Sequence, residues 1–140
     1  MEKYRFLEHK ADIKFQATGN SLEELFINSF EALKECMTDK VKIKKKIKRK
    51  IKIKGKDLNN LLYKFLEEFL FLFDAKNFIA SGISNIKIDY EKFSLIAEVF
   101  GDKESNYNLS NDIKAVTYNS MFTKFNKKDK KWVCQVVLDA

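Results

Sequence analysis

Carboxylate oxygens are concentrated at the end of the sequence, where an apolar run places Asp139 next to the terminal carboxylate of Ala140. Asp12 supplies another carboxylate near the start of the chain. If the fold brings these groups together, they form a pocket of hard oxygen donors, which suits Ca²⁺, Mg²⁺ or Mn²⁺ better than Zn²⁺. The alternative interpretation is a frayed terminus in which Asp139 is solvated.

Two further polar stretches stand out beside apolar runs. Residues 8–13 read Glu-His-Lys-Ala-Asp-Ile, and residues 114–119 read Lys-Ala-Val-Thr-Tyr-Asn. The simpler interpretation of Asp12 is a carboxylate that accepts hydrogen bonds from turn amides. The simpler interpretation of Lys114 is a side chain whose stem packs on the sheet while its ammonium group reaches water. Neither stretch alone establishes a site.

Standard enzyme motifs are absent from the sequence, which has no G-x-x-x-x-G-K-[ST], no G-x-G-x-x-G and no G-x-S-x-G. His9 is the single histidine, and no nucleophile motif places it. Cys36 and Cys134 lie far apart without C-x-x-C spacing, so a zinc set cannot be assembled. We expect two buried free thiols in a reducing cytoplasm. These absences lower the expectation of an enzyme without excluding one.

Positive charge is concentrated in residues 41–54, VKIKKKIKRKIKIK, of which nine of 14 are Lys or Arg. The chain has a net charge of +7, but outside this segment 18 basic residues stand against 20 acidic ones. Lysine fills every even position and apolar residues fill five of seven odd ones, which predicts a strand with one face in water. Such a row suits RNA or an acidic protein. The alternative is a solvated edge strand, where Lys discourages aggregation.

The elements that must position these groups follow from the spacing of apolar residues. Ser21 and Glu24 form a capping box, with Glu24 reaching back to the Ser21 amide, for a helix over 21–37. Asp57 caps a second amphipathic helix that ends near Asp74. The strands predicted from alternation or apolar runs are 4–7, 13–17, 84–89, 93–100, part of 113–125 and 132–138. The last is almost continuously apolar, so it should lie inside its sheet.

These elements predict one α+β domain over residues 1–140, a two-layer sandwich with two long amphipathic helices packed on a mostly antiparallel sheet. A hydrophobic content of 45% in 140 residues is enough to bury a core, so disorder is not expected. No apolar run approaches the roughly 18 residues of a membrane span, and the first residues lack the apolar stretch of a secretory signal.

Several of these motifs resemble those of the archease family. Residues 4–13 are similar to the family's first strand and its His-Thr-Ala-Asp-Ile motif, with Lys10 in place of the Thr. The start of the first helix at 21–26 and its end at 37–39 also match. The second helix is similar in length and in its final Leu-Phe-Asp-like triplet at 72–74.

The resemblance continues to the end of the chain. Residues 114–118 match the family's Lys-Ala-Val-Thr-Tyr motif, and Asn119 stands where a His often follows. The ending 136–139, followed by one apolar residue, also matches. The lysine-rich segment is not a family motif, since relatives often carry Glu there.

The resemblance implies a small cytoplasmic accessory protein of RNA splicing and repair, not an enzyme. Archeases stimulate the GTP-dependent RNA ligase that joins tRNA halves by promoting its guanylylation and multiple turnover. Carried over to this sequence, the family's divalent-cation site consists of Asp12, Asp139 and the terminal carboxylate of Ala140. Lys114 matches a family position needed for activation, and Asp39 matches a further acidic position.

The resemblance therefore gives one leading hypothesis and several others. In the leading one, Asp12, Lys114 and Asp139 carry activation of the ligase with a divalent cation, calcium first and Mg²⁺ or Mn²⁺ as alternatives. A second is an RNA-binding module that uses the lysine row to hold tRNA. A third is a chaperone-like partner of a tRNA-modifying methyltransferase, a role also attributed to the family. An independent hydrolase is the weakest, since no nucleophile or base pair is visible.

Overall fold

The structure, a computed structural model, describes residues 2–8, 12–109 and 113–140. Within these ranges the chain forms two strands, a helix, a third strand, a second helix and then four more strands. The helices are α1 (Leu22–Thr38) and α2 (Leu58–Lys76), and the strands are β1 (Tyr4–Leu7), β2 (Ile13–Gly19), β3 (Ile47–Lys54), β4 (Ile79–Asp89), β5 (Ser94–Asp102), β6 (Ala115–Asn126) and β7 (Lys131–Asp139). Neither helix is long and apolar enough to cross a membrane.

The described strands form two sheets, each entirely antiparallel. The larger has the order β1-β2-β7-β6, and the smaller has the order β3-β5-β4. The predicted α+β class is confirmed, with both helices packed against these sheets. The prediction that β7 lies inside a sheet is also confirmed, because it pairs with β2 on one side and with β6 on the other.

Both helices begin at the predicted caps. The Ser21 hydroxyl accepts a hydrogen bond from the amide of Glu24 at 3.1 Å, and the Asp57 carboxylate accepts one from the amide of Asn60 at 2.8 Å. The Glu24 carboxylate accepts from the amide of Asn20 and not, as the capping box predicted, from that of Ser21. Glu24 therefore binds the exposed amide of the residue that precedes Ser21, and not the Ser21 amide that a standard capping box would bind.

The core lies between the helices and the sheets. Phe26 and Phe30 of α1 meet Phe65 and Phe69 of α2, with ring centroids 5.4 Å apart in the first pair and 4.6 Å apart in the second. All four side chains are buried. The apolar stripes read from the sequence are therefore packing surfaces, as amphipathic helices usually provide.

The lysine-rich segment forms a shorter strand than predicted. Strand β3 begins at Ile47, and residues 41–46 have no regular structure. Within β3 the predicted alternation holds, because Ile51 is buried while Lys50 and Lys52 are exposed. β3 is an edge strand, in agreement with the alternative interpretation of the lysines.

A polar network fixes the irregular stretch before β3. The Tyr107 hydroxyl accepts a hydrogen bond from the amide of Lys44 and donates one to the buried carboxylate of Asp102 at 2.7 Å. This bond lowers the pKa of Asp102 below its usual value, although burial acts in the opposite direction. An aspartate that is ionised in the fold therefore anchors the chain that leads into β3.

Candidate cation and activation site

The two ends of the chain meet at one end of the four-stranded sheet. Ile13 of β2 is paired with Leu138 of β7, which places Asp12 and Asp139 just beyond neighbouring paired positions. On the other side of β7, the amide of Lys114 donates a hydrogen bond to the carbonyl oxygen of Asp139 at 2.7 Å. Asp139, at the end of β7, therefore lies between the start of β2, next to Asp12, and the start of β6, next to Lys114. The register brings together the residues that the sequence singled out.

These residues are accessible to a partner. Lys114 and Ala140 are exposed, whereas Asp12 and Asp139 are half-buried. Because the two aspartates are only half-buried, their carboxylates can contact a ligand, while the sheet still holds their backbone in place. The arrangement thus combines negative oxygen donors and one positive charge at the same end of the sheet.

Asp12 also shares a surface pocket with Asp39. The pocket has a volume of about 490 Å³, and Glu35 and Cys36 of α1 form part of its wall. Asp39 ends α1 in the left-handed region at φ 47°, and its amide donates to the carbonyl of Glu35. The end of α1 therefore lies at the same depression as Asp12, although the two residues are distant in sequence.

The candidate cation ligands are three in number, and all of them are carboxylates. Among the residues that the structure describes, no three His, Cys, Asp or Glu side chains form a group arranged to hold a metal ion. The predicted set contains two such side chains, Asp12 and Asp139, and takes its third donor from the terminal carboxylate of Ala140. All three donors are anionic oxygens, a composition that fits a hard cation such as Ca²⁺ or Mg²⁺.

Helix α2 holds the start of β6 in place, a role the sequence did not reveal. The amide of Val116 donates to the Glu67 carboxylate at 2.7 Å, and the Thr117 hydroxyl donates to the carbonyl of Val137 at 3.0 Å. Glu67 was missed because it lies among the apolar residues of α2 as one ordinary acidic residue. Its only sequence signal is a position beside the apolar stripe, and the structure shows it half-buried there.

An aromatic pair continues this contact along β6. Tyr118 stacks on Tyr63 of α2, with ring centroids 4.2 Å apart and planes 12° from parallel. The Tyr118 hydroxyl accepts a hydrogen bond from the side-chain amide of Asn60 at 2.6 Å. Burial raises the pKa of Tyr63, and the nearby Glu67 carboxylate adds to the effect. The stretch 115–118 is thus fixed both to β7 and to α2.

Both cysteines are free thiols, as predicted, but the prediction that both are buried holds for Cys134 and is wrong for Cys36. Cys134 is fully buried against Ser29, with its Sγ 3.2 Å from the serine Oγ, whereas Cys36 is only half-buried. Burial raises the pKa of each thiol to about 11. Neither side chain is a thiolate near neutral pH, so neither is an activated nucleophile.

Three other residues belong to the motifs that resemble those of the family: His9, Lys10 and Asn119. His9 and Lys10 lie outside the described residues. Asn119 is exposed, and its backbone amide donates to the Thr117 hydroxyl at 3.3 Å. The structure therefore supports a backbone role for position 119 within β6 and assigns nothing to the other two.

Comparison with known proteins gives a consistent result over the whole chain. The model of the Archease protein family (MTH1598/TM1083) matches residues 4–140. Protein archease of Methanosarcina barkeri is 36% identical, with 99% of this chain and 96% of that protein covered. Protein archease of Sulfurisphaera tokodaii is 35% identical, with 99% of each covered.

More distant relatives agree with this assignment. Protein archease-like of Drosophila melanogaster is 31% identical, with 85% of this chain and 78% of that protein covered. The solution structure of Methanobacterium thermoautotrophicum protein 1598 superimposes with a TM-score of 0.79 at 28% identity, covering 100% of both chains. On its sequence, its fold and the order of its motifs, this chain belongs to the archease family.

Proposed function

We propose that this protein is a non-enzymatic cofactor of tRNA splicing that activates the GTP-dependent RNA ligase in the cytoplasm. It promotes guanylylation of the ligase and so permits multiple turnover. Membership of the archease family supports the proposal. The observation that carries it is the pairing of Ile13 with Leu138, together with the Lys114–Asp139 backbone bond, which gathers the candidate residues at one sheet end.

The carboxylates of Asp12, Asp139 and Ala140 would hold a divalent cation, with calcium as the first candidate and Mg²⁺ or Mn²⁺ as alternatives. When bound, the cation would supply positive charge that neutralises phosphate oxygens during nucleotidyl transfer. Lys114 is exposed at the same sheet end, where it offers a second positive charge to a nucleotide phosphate or to a carboxylate of the ligase. Its backbone bond to Asp139 keeps the main chain of Lys114 beside the end of β7.

The test of this function combines the protein with the tRNA-splicing ligase, GTP and split tRNA. The number of joined tRNA molecules per ligase is measured with and without the protein, in single-turnover and in multiple-turnover conditions. We expect the protein to raise the number of turnovers and the guanylylated fraction of the ligase. If neither quantity changes, the proposed function is wrong.

Calcium should stabilise this protein in the absence of the ligase. A ligand that binds only the folded state at 100 times its dissociation constant raises the free energy of unfolding by about 2.7 kcal/mol. Asp12→Asn and Asp139→Asn should lose this increase, because each removes an anionic donor with little change of shape. The measurement is urea unfolding at increasing Ca²⁺, repeated with Mg²⁺ and Mn²⁺.

The matched control for that titration is Asp129→Asn, which changes an exposed aspartate in the turn between β6 and β7. It should keep the full response to Ca²⁺. An equal response in all three variants would show that the cation binds elsewhere or only as general screening. Because the ligase is absent, this outcome is separate from the result of the turnover assay.

A further inference from the structure

The three-stranded sheet has one face against the helices and the other in solvent. On β5 the side chains of Leu95, Ala97 and Val99 are buried. Ile96, which lies between them in sequence and points to the opposite face, is 49% exposed. This outer face is therefore an open sheet surface that carries a large apolar side chain near its middle.

The register places lysines on both sides of Ile96. Lys52 of β3 is paired with Ile96, and Lys87 of β4 is paired with it from the other side. Lys48 is paired with Phe100 in the same way. We call this surface the lysine face, and its members are Lys45, Lys48, Lys50, Lys52, Lys54, Lys87, Ile96 and Phe100.

Phe100 provides an aromatic ring on the lysine face. Its partner on β4 is Gly82, so no side chain stands beside the ring there, and a Cβ at that glycine would approach the ring to 3.8 Å. The Nζ atom of Lys45 lies 5.1 Å from the ring centroid. The ring is half-buried beside bare backbone, and a planar group can stack on it when the exposed, flexible Lys45 side chain turns away from the ring.

The charge of the lysine face is strongly positive. Its six lysines share the sheet surface with two acidic residues, Glu98 and Asp89, which the register places on the same side. The Asp89 carboxylate accepts hydrogen bonds from the amides of Glu91 and Lys92 and so belongs to the turn. Lysines on one side of a strand lie about 6.6–6.8 Å apart, twice the rise per residue. The surface is complementary to an extended polyanion.

We propose that the lysine face binds single-stranded RNA, with phosphates along the lysines of β3 and a base stacked on Phe100. An acidic protein would satisfy the lysines, but it has no base to occupy the ring. The inference goes beyond ligase activation, because the lysine face belongs to the sheet that does not contain Asp12, Lys114 and Asp139.

The test measures binding of a fluorescent single-stranded RNA oligonucleotide to the full chain alone at several salt concentrations. Each neutralised phosphate contributes a slope of about −0.7 to log K against log salt for single strands. A variant carrying Lys48→Gln, Lys50→Gln, Lys52→Gln and Lys54→Gln should flatten the slope by about 0.7 for each phosphate that is no longer neutralised. All four lysines are exposed, so thermal unfolding should be unchanged.

The matched control removes the same charge from the β6–β7 hairpin. It carries Lys124→Gln, Lys127→Gln, Lys128→Gln and Lys130→Gln, all at exposed positions. This variant should retain most of the slope. If its slope flattens as much as that of the β3 variant, binding follows net charge and the lysine face is not a site. Absence of RNA binding at low salt would also overturn the proposal.

A second comparison separates RNA from an acidic polypeptide. Phe100→Ala should weaken RNA binding about fivefold or more, since the ring on which one base stacks is removed. The same substitution should leave binding of polyglutamate, a polyanion without bases, unchanged. If both ligands weaken equally, the ring does not contact a base, the surface recognises polyanions in general and the RNA proposal is wrong.

Discussion

Asp12→Ala and Asp139→Ala should each reduce stimulation of the tRNA ligase by at least about 10–100-fold, because each removes a proposed cation ligand and losses of this size follow even when a residue that only supports a ligand is changed. The reduction should appear in multiple-turnover ligation, where each ligase molecule must be guanylylated again. A single-turnover reaction that begins with guanylylated ligase should be affected far less, because that step has already occurred. The measurement is the number of joined tRNA molecules per ligase under both conditions.

The side chains of Asp12 and Asp139 are half-buried at strand ends and outside the core, so both variants should fold. Thermal unfolding of each variant checks this directly. Asp129→Ala, in the exposed β6–β7 turn, is the matched control and should stimulate fully. Full stimulation by both site variants would reject the proposed mechanism, even if the wild-type protein activates the ligase.

Lys114→Gln gives a different expected pattern from the two aspartates. It removes the positive charge but keeps the backbone bond to Asp139, so stability in the presence of Ca²⁺ should remain. Loss of ligase stimulation without loss of the Ca²⁺ response would assign Lys114 to the contact with the nucleotide or the ligase. The two readouts therefore separate the charge of Lys114 from the proposed cation site.

Phe65→Ala should lower the free energy of unfolding by about 3–5 kcal/mol, the usual cost of truncating a buried phenylalanine. Phe65 is 0% exposed, and its ring centroid lies 5.4 Å from that of Phe26 and 5.0 Å from that of Phe69. Its removal leaves a cavity where α1 meets α2, and close-packed neighbours relax only partly into such a space. Urea unfolding measures the change.

Phe71→Ala on the same helix is the control for Phe65. Its side chain is 50% exposed, and the ammonium group of Lys76 lies 5.9 Å from its ring centroid. Removal of so exposed a ring should cost less than about 1 kcal/mol. Similar decreases at both positions would mean that the helix–helix contact does not carry the stability attributed to it.

Local sequence patterns predicted most of the helices and strands, because the interactions that start a helix or orient a strand involve residues close together in sequence. The Ser21 and Asp57 side chains satisfy amides three residues further on, so the helix starts can be read directly from sequence. Alternation predicted the orientation of the lysines on β3, and a continuous apolar run predicted that β7 is an inner strand. The beginning of β3 was placed too early because alternation continues through 41–46, whereas pairing with β5 begins only at Ile47.

Sequence alone thus determined the residue types of the candidate site, the two helices and the half-exposed character of β3. Tertiary structure alone decided that the strands divide into two sheets, that Asp39 joins Asp12 in one pocket, and that Lys87 and Phe100 extend the lysine row. The physical reason is that periodicity reports which face of an element is buried, whereas strand partners and register depend on burying all such faces at once.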